Sequence, residues 1–362
     1  MYAAELNLPH EPRTKGDGSK YTIGFFDLDP YPPTGQMLYD VIEWLKSDGW
    51  ITYDSLPFDR YDIDAQVLIR YLAEQDLGPY LRFSKELNYY AFVDDWDEIV
   101  EGFERHAAAG DIDIVLAWAT GPAAMASEYS DSMAVVAYPL TDPLGRGIVN
   151  GVEYSGVPNV WAHTDYERYE RQMRVFKEVC DFQKIGAVYY DAGVAVIADY
   201  RKSAENLSVE LVERQIEPLE SDDADELEAY LTSFFDSVRD LLINEEIDAF
   251  LLTTDMIKSD EQLDRLVSAC NGLKVPIFVQ FGDSFVERGA LMTVQLLDSL
   301  SVGHFVANTI GKILNGAKPE ELNQYYPSMP YLVLNIEAAR ELGIKVPFEM
   351  LMSSEKISGG KK

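Results

Sequence analysis

The stretch that decides the fold is Val275–Leu297, VPIFVQFGDSFVERGALMTVQLL. Pro276–Gln280 is too short and too rich in β-forming residues for a buried helix, which predicts a strand, and Gly282 permits a tight turn at its end. A short helical turn follows, and a second extended run starts at Ala290. A helical pattern over Ser301–Leu314 then leads to a further strand. A chain that leaves one sheet, builds a helix elsewhere and returns predicts two lobes that share several crossovers, with a cleft between them.

The same alternation of strand and helix runs through the rest of the chain. Apolar strand patterns followed by residues with helical spacing occur at 21–27, 112–118, 184–190 and 247–253. Strands that alternate with helices of this length indicate βαβ units and parallel sheets covered on both faces. We therefore expect an α/β protein with two doubly wound parallel-sheet lobes and a central cleft. Within lobe 1, Trp50–Leu56 is predicted as a second strand, and the tyrosine-rich Gly78–Val93 as a further extended segment.

The domain boundaries follow from these patterns. The polar start of the chain predicts a poorly ordered leader, and the end, which closes with GGKK, predicts a loose tail. We assign residues 1–20 to the leader, 21–165 plus 290–324 to lobe 1, 166–289 plus 325–352 to lobe 2, and 353–362 to the tail.

Composition excludes several classes of protein. The chain of 362 residues carries 62 acidic and 30 basic residues, a formal charge of -32, which repels the phosphate backbone of nucleic acids. The chain contains no run of eighteen apolar residues, so no membrane span is predicted. If the protein is exported, its export signal is absent from this chain, since the start has no apolar segment of signal-peptide type. Cys180 and Cys270 are the only cysteines, and we expect two buried thiols rather than a metal site; a disulfide remains an alternative.

The candidate ligand contacts are the residues that directly follow the predicted strands, because open parallel sheets bind ligands beyond the carboxyl ends of their strands. These residues alternate aromatic faces, hydroxyl groups and carboxylates, a set that suits a small organic molecule bearing N–H or O–H groups. The helix start at 121–123 adds backbone N–H groups for a carboxylate, so an amino acid is a natural ligand. The full set is Phe26, Asp27, Asp29, Tyr31, Thr120, Gly121, Thr141, Asp142, Tyr190, Asp191, Thr254, Asp255, Gln280, Phe281 and Asp283.

Each of these residues also has a purely structural interpretation. Asp191 and Asp255 are placed where a helix N-cap is expected. Asp142 precedes a proline and suits simple turn chemistry. Phe26 and Tyr190 are equally compatible with a place in the core or at its rim. The functional interpretation rests on the coincidence of six strand ends.

Catalysis is not indicated by the sequence. The chain has no G-x-S-x-G, no phosphate-binding loop, no strand-linked G-x-G-x-x-G and no H-E-x-x-H. Its four histidines are scattered, so neither a catalytic nor a metal-ligating set is expected. We therefore predict a protein that is not an enzyme and needs no cofactor.

From about Asp111 onward, the chain resembles the ABC-transporter substrate-binding proteins of the periplasmic-binding type I fold, in the branch that includes tryptophan- and tyrosine-binding lipoproteins. YTIGFFDLDPYPPT at the start also looks like the first strand and ligand-facing loop of this family. The other matching stretches, in chain order, are IDIVLAWATGPAAMA, AVVAYPLTDPLGRGIV, QKIGAVYYDAG, IDAFLLTTD, VPIFVQFGDSFVERGALMTV, GKILNGAKPEEL and LVLNIEAARELGIKVP.

This resemblance implies two lobes joined by three crossing segments, a ligand enclosed between them by a hinge motion, and delivery to an ABC permease in the membrane. The ligand contacts it implies are the strand-end residues named above. Two departures stand out: the chain has Tyr190-Asp191-Ala192-Gly193-Val194-Ala195 where members often have Asn-Pro-Gly-Glu followed by Asn-Ser, and Trp50–Val93 is longer than the corresponding unit of the family.

The function expected from residues and resemblance together is that of an extracytoplasmic solute-binding protein of an ABC importer. It would act as a monomeric periplasmic or extracytoplasmic lipoprotein that binds an amino-acid-like or aromatic ligand. The alternative is the ligand-sensing module of a signalling receptor, which shares the fold.

Overall fold

The computed structural model describes residues 8–140, 142–191, 196–219, 221, 223–253, 256–295, 299–327 and 331–358. The chain forms two compact units, which we call unit 1 (Met1–Tyr166 with Ser299–Ser328) and unit 2 (Glu167–Asp298 with Met329–Lys362). It therefore passes between the two units three times, after Tyr166, Asp298 and Ser328.

Unit 1 is built on a five-stranded parallel sheet with the strand order β2-β1-β3-β4-β5. Its four strands other than the edge strand β2 are apolar runs buried almost throughout, as a parallel sheet covered on both faces requires. The strands are β1 (Tyr21–Asp27), β2 (Leu81–Tyr90), β3 (Ile114–Ala117), β4 (Ala134–Ala137) and β5 (Val160–Ala162).

Unit 2 is built on a seven-stranded sheet with the order β12-β11-β10-β9-β8-β6-β7. All neighbouring strands in it run parallel except β10 and β11, which are antiparallel. The strands are β6 (Lys184–Tyr189), β7 (Glu210–Gln215), β8 (Ala249–Leu252), β9 (Ile277–Val279), β10 (Met292–Gln295), β11 (Tyr331–Asn335) and β12 (Ser354–Ser358).

Several of the described helices start and stop at residues suited to those positions. Asp95 caps one helix by accepting hydrogen bonds from two backbone amides of its first turn, and Gly110 ends the same helix with φ 61°. Along the chain the helices are α1 (Pro32–Ser47), α2 (Ala65–Ala73), α3 (Trp96–Ala109), α4 (Thr120–Ser127), α5 (Arg168–Cys180), α6 (Ile197–Asn206), α7 (Ala224–Ile243), α8 (Asp260–Gly272), α9 (Asp283–Glu287), α10 (Ser299–Leu314), α11 (Ile336–Leu342) and α12 (Phe348–Ser353), with a 3-10 turn at Pro319–Glu321.

The stretch that opened the sequence analysis folds largely as predicted. β9 lies within the predicted strand, α9 is the short helical turn after Gly282, and β10 lies within the run that starts at Ala290. α10 begins at Ser299, two residues before its predicted start. The domain boundary, however, differs from the predicted one at residue 290: because β10 pairs with β9 and β11, the chain enters unit 1 only at Ser299.

The prediction of a strand at Trp50–Leu56 was wrong. Its apolar residues are buried without strand pairing: Trp50 is fully buried, and its indole N–H donates to the carbonyl of His10 at 3.0 Å. The place beside β1 is taken by β2, which lies within the extended segment predicted at Gly78–Val93. The short strand β5 was not predicted, because its three residues carry too little pattern.

The described parts of the two chain ends, residues 8–20 and 354–358, are more structured than predicted, while residues 1–7 and 359–362 lie outside the described residues. Residues 8–20 have no regular secondary structure, yet they pack on unit 1: the Asn315 amide donates to the carbonyl of Glu11 at 3.0 Å, and Lys15 forms an ion pair with Asp113 at 2.7 Å. At the other end, Ser354–Ser358 forms β12, which pairs in parallel with β11. Main-chain pairing, which side-chain patterns do not reveal, is what holds this predicted tail.

Helix α1, which follows β1, packs closely against the backbone of Ile63 and forms a partly buried ion pair. Gly35 lies against the backbone of Ile63, so closely that a Cβ atom on Gly35 would sit 1.7 Å from the carbonyl oxygen of Ile63. The Arg60 guanidinium makes two hydrogen bonds to the buried carboxylate of Asp40, at 2.6 and 2.7 Å, and a longer one to Ser299 at the start of α10. The segment before α2 is thereby joined to both α1 and α10.

Replacing Gly35 with alanine is expected to lower the free energy of unfolding by at least about 2 kcal/mol, because the new methyl group has to displace a backbone carbonyl. Gly272→Ala is the matched control, since a Cβ at that helical position meets nothing within 4 Å. Urea unfolding of both variants gives the comparison. Equal stability of the two variants would show that the Ile63 backbone yields freely.

Candidate functional site

The candidate site of unit 1 lies at the edge of the sheet where its strands end. Because all five strands are parallel, their carboxyl ends share this edge, which is where such sheets bind ligands. Backbone hydrogen bonds align the ends of β1, β3 and β4: Trp118 donates to the carbonyl of Phe26 at 2.7 Å, and Tyr138 donates to that of Ala117 at 3.1 Å. The residues that follow these strands are therefore neighbours.

A row of rings runs along this edge. The ring centroids of Phe25 and Trp118 are 5.8 Å apart, those of Trp118 and Tyr138 5.6 Å, and those of Tyr138 and His163 5.4 Å. All four side chains are buried, so the row supports the edge from beneath. The sequence analysis missed it, although a signal was present: Trp118, Tyr138 and His163 each follow a strand directly.

Asp27, the last residue of β1, is almost completely buried. One carboxylate oxygen accepts the backbone N–H of Leu28 at 2.7 Å and the side chain also interacts with Thr34, but Oδ2 has no hydrogen-bond partner within the described part of the chain. Burial is the main cause that raises the pKa of this carboxyl group to about 7, and the nearby charges of Asp29 and Asp64 raise it further. The end of β1 therefore holds a carboxyl group that is protonated over an unusually wide pH range.

The other predicted residues of the first loop divide between core and surface. The Phe26 ring is fully buried and packs edge-on against Phe103 at 5.4 Å, so it belongs to the core and we leave it out of the proposed contacts. Asp29 is half-buried. Tyr31, at the N-cap of α1, is 46% exposed and offers a ring face to a ligand.

The turn between β3 and α4 is strained and leaves the helix start open. Ala119, the N-cap residue of α4, has φ 71° and ψ 164°, a region that a residue with a Cβ atom rarely adopts. As an alanine, the N-cap residue has no side-chain acceptor with which to cap α4, and Gly121 in the first turn is exposed. An uncapped helix start attracts a carboxylate through its backbone N–H groups and its dipole.

The structural interpretation of Asp142 gains support. Its Oδ1 atom accepts the backbone N–H of Gly145 at 2.9 Å, which is turn chemistry, while the residue stays half-buried. Thr141, Thr254 and Asp255 lie outside the described residues, so their predicted role as ligand contacts stays a prediction.

In unit 2, the parallel strands β6, β7, β8 and β9 also end at one edge. Tyr190, directly after β6, is half-buried, and its carbonyl accepts a hydrogen bond from the Gln215 side chain at 3.1 Å. The Lys258 ammonium lies 5.7 Å from the centroids of both the Tyr190 and the Tyr230 ring. Asp191 is exposed. The sequence analysis missed Lys258, a cation placed against the aromatic face at this edge.

Beyond β9 the chain turns sharply above a buried polar network. Gln280 is buried, and its carbonyl accepts a hydrogen bond from the Gln172 side chain at 2.8 Å; Gln172 in turn accepts the Tyr200 hydroxyl at 2.6 Å. Phe281 and Asp283 are half-buried on either side of Gly282, whose φ of 111° permits the turn into α9. Gln280 thus braces the turn, and the predicted role of Phe281 and Asp283 as ligand contacts stays a prediction.

The described residues at these two edges offer aromatic rings, carboxylates, a helix start and one ammonium group. Among the described residues, no group of three acidic, histidine or cysteine side chains is arranged to hold a metal ion. Of the two cysteines, Cys270 is buried as predicted, whereas Cys180 is only partly buried; burial raises the pKa of the Cys270 thiol to about 12 and also raises that of the Cys180 thiol. No described helix has both the length and the apolar character that crossing a membrane requires.

The buried carboxyl of Asp27 predicts a pH-dependent difference between the protein and its Asp27→Asn variant. In the folded state this group keeps its proton up to about pH 7, whereas in the unfolded chain it loses the proton near 3.8, so its contribution to stability falls as the pH rises between these values. The variant keeps the acceptor for Leu28 but does not ionise. Its stability relative to the unaltered protein should rise by up to about 4 kcal/mol from pH 4 to pH 8, as measured by urea unfolding. If the stabilities of the two proteins changed with pH in the same way, the raised pKa of Asp27 would be contradicted.

The strain at Ala119 predicts that Ala119→Gly stabilises the fold. The conformation costs a residue with a Cβ atom about 1–3 kcal/mol, while glycine adds an entropic cost of about 0.5–1 kcal/mol, so a net gain of about 1 kcal/mol is expected. Ala124→Gly, at an exposed position within α4, should instead lose up to about 1 kcal/mol. Loss of stability in both variants, measured by thermal unfolding, would remove the case for strain.

Several solved structures are similar to this chain in fold. No curated protein matches the chain. A conserved domain protein from Vibrio cholerae is 20% identical, with a TM-score of 0.63 over 94% of this chain and all of its own. The ABC domain from Streptococcus pneumonia in complex with L-Trp is 19% identical, with a TM-score of 0.60 over 94% of this chain and 100% of that one. The ligand-free, open form of CD0873, a substrate binding protein with adhesive properties from Clostridium difficile, is 18% identical, with a TM-score of 0.64 over 94% and 99% of the two chains.

At such identities the likeness shows the fold, and the predicted fold class is confirmed: two α/β lobes of the type I periplasmic binding protein class. The model of the family described as ABC transporter substrate binding protein matches residues 90–358, most of the chain. Members of this family act outside the cytoplasm, bind small ligands and partner with membrane permeases. Their role is binding rather than catalysis, which confirms that the protein is not an enzyme. The chain therefore belongs to the family of ABC transporter substrate-binding proteins.

Proposed function

We propose that this protein captures an amino-acid-like or aromatic solute and presents it to an ABC importer, acting as a monomer and as an extracytoplasmic lipoprotein. The observation that carries the proposal is the strained, uncapped start of α4 at the edge where the parallel strands of unit 1 end. Strain of this kind is retained where function requires it. A helix start without a side-chain cap is suited to the carboxylate of a ligand.

The remaining groups at this edge suit the other parts of an amino acid. The half-buried carboxylate of Asp29 is an acceptor for an ammonium group. The exposed ring of Tyr31 is a surface for an apolar or aromatic side chain. A neutral sugar can donate hydroxyl hydrogen bonds to a carboxylate but has no anionic group for the helix start, so a zwitterion makes better use of this set.

Unit 2 supplies a second set of the same chemistry. Tyr190 and Phe281 are half-buried aromatic residues that directly follow β6 and β9, and Asp283 is a carboxylate at the start of α9. Lys258 lies near the Tyr190 ring and adds a cation. We propose that these four side chains also contact the ligand.

Thermal unfolding in the presence of single amino acids, aromatic acids and small amines tests the proposal. A ligand at one hundred times its Kd should stabilise the folded protein by about 2.7 kcal/mol and raise Tm accordingly. Zwitterions with aromatic or apolar side chains should give the largest shifts. No shift with any of these solutes would count against solute capture.

Variants then identify the contacts for the best ligand. Tyr31→Ala and Tyr190→Ala should each weaken binding roughly ten-fold by isothermal titration calorimetry, because each removes a ring face. Asp29→Asn should weaken the binding of an amino acid more than it weakens the binding of the corresponding acid that lacks the amine. Ile243→Ala is the control, since this exposed side chain ends α7 just before β8, near the amino ends of the strands rather than their carboxyl ends. Unchanged affinity in all three variants would place the ligand elsewhere.

A further inference from the structure

A second surface lies beside the candidate ligand edge of unit 1. The segment between β2 and α3, together with the first residue of α3, exposes three large apolar side chains. Phe92 is 74% exposed, Val93 62% and Trp96 51%. We call these three residues the apolar tip. Three exposed apolar residues within five positions form a patch, and patches of this kind mark interaction sites.

The apolar tip is held in place by its backbone. The amides of Ala91 and Phe92 donate to the carbonyls of Asp27 and Leu28, each at 2.9 Å. The carboxylate of Asp94 accepts the amide of Tyr90 at 2.6 Å and the side-chain amide of Gln66 at 3.0 Å. The exposed side chains are therefore presented by an ordered turn, so a partner would meet them with little further ordering cost.

Acidic residues surround the apolar tip. Asp95, Asp97 and Glu98 are exposed, and we call them the acidic collar. Asp95 also caps α3, accepting the amides of Asp97 and Glu98 at 3.0 and 3.1 Å. None of the ion pairs between described residues includes a member of this collar. The charge of the collar is thus available to a basic partner.

We propose that the apolar tip and acidic collar form a docking surface for a protein partner that presents an apolar pocket flanked by arginine or lysine side chains. This inference rests on the proposed function, and the partner it assigns is the membrane-embedded permease of the importer. The aromatic and aliphatic side chains supply buried anchors, and the collar supplies complementary charge.

Two other occupants are disfavoured by the charge. A second copy of this chain would bring its own collar and a formal charge of -32, so two tips would repel each other. A bilayer rich in anionic lipids would repel the same carboxylates. The backbone bonds from Ala91 and Phe92 to the end of β1 connect this surface directly to the candidate ligand edge.

Site-specific photocrosslinking in cells identifies the partner. A benzoylphenylalanine placed at Phe92 in the full chain, expressed with its transport system, should crosslink to the permease, as identified by mass spectrometry. The same group at Phe348, which is also 74% exposed, should not. Crosslinking from position 92 to a second copy of the chain or to lipid, or equal crosslinking from both positions, would overturn the proposal.

The affinity of variants for the purified permease in nanodiscs measures how much the apolar tip and the acidic collar each contribute to docking. Trp96→Ala should weaken binding at least ten-fold, and the paired change Asp97→Asn with Glu98→Gln should slow association several-fold and reduce its salt dependence. Phe348→Ala and Glu178→Gln, at exposed positions in unit 2, should change neither. Solute binding is measured on the same variants. Intact solute binding with no effect of the tip variants on docking would overturn this inference alone, whereas absence of solute binding in the unaltered protein would overturn the proposed function.

Discussion

The parallel pairing of β1 with both β2 and β3 is the constraint on which the chemistry of unit 1 depends. Parallel strands send their carboxyl ends to the same edge, and every connecting turn from strand to helix has to start there. Asp27 and Trp118, which are far apart in sequence, are neighbours for this reason alone. The same rule brings Tyr190 and Gln280 to one edge of the sheet in unit 2.

The energetically unfavourable features of this arrangement lie at the edge of the sheet. Asp27 has a buried oxygen for which the described residues provide no hydrogen-bond partner, and Ala119 adopts a backbone conformation that suits glycine. Val196, at the start of α6 in unit 2, also has a positive φ, of 53°. Ala119 and Val196 thus occupy corresponding places, each at the helix start that follows a strand. Such features persist only where the surrounding structure holds them, and in unit 1 the buried row of rings beneath the edge provides that support.

Much of the fold was predictable because its strands are strongly apolar and its helices strongly periodic. The strand at Ile277–Val279 and the helix at Ser299–Leu314 are examples of such patterns. The failures have a common cause. Trp50–Leu56 has the composition of a strand, but β2 occupies the position beside β1, and no local pattern reveals which of two candidate segments pairs. Ser354–Ser358 has little apolar pattern and is held by main-chain hydrogen bonds to β11.

For the candidate site too, some properties follow from local sequence and others only from the tertiary structure. The sequence by itself determined which residues follow the strands, and hence that aromatic rings and carboxylates gather at the sheet edges, because strand periodicity and helix starts are local properties. Only the tertiary structure decided that Phe26 belongs to the core, that Tyr31 is exposed and that Asp27 holds a buried carboxyl group. Burial and pKa depend on neighbours supplied by distant parts of the chain, and those neighbours are set by strand order and packing rather than by the residue's own surroundings in sequence.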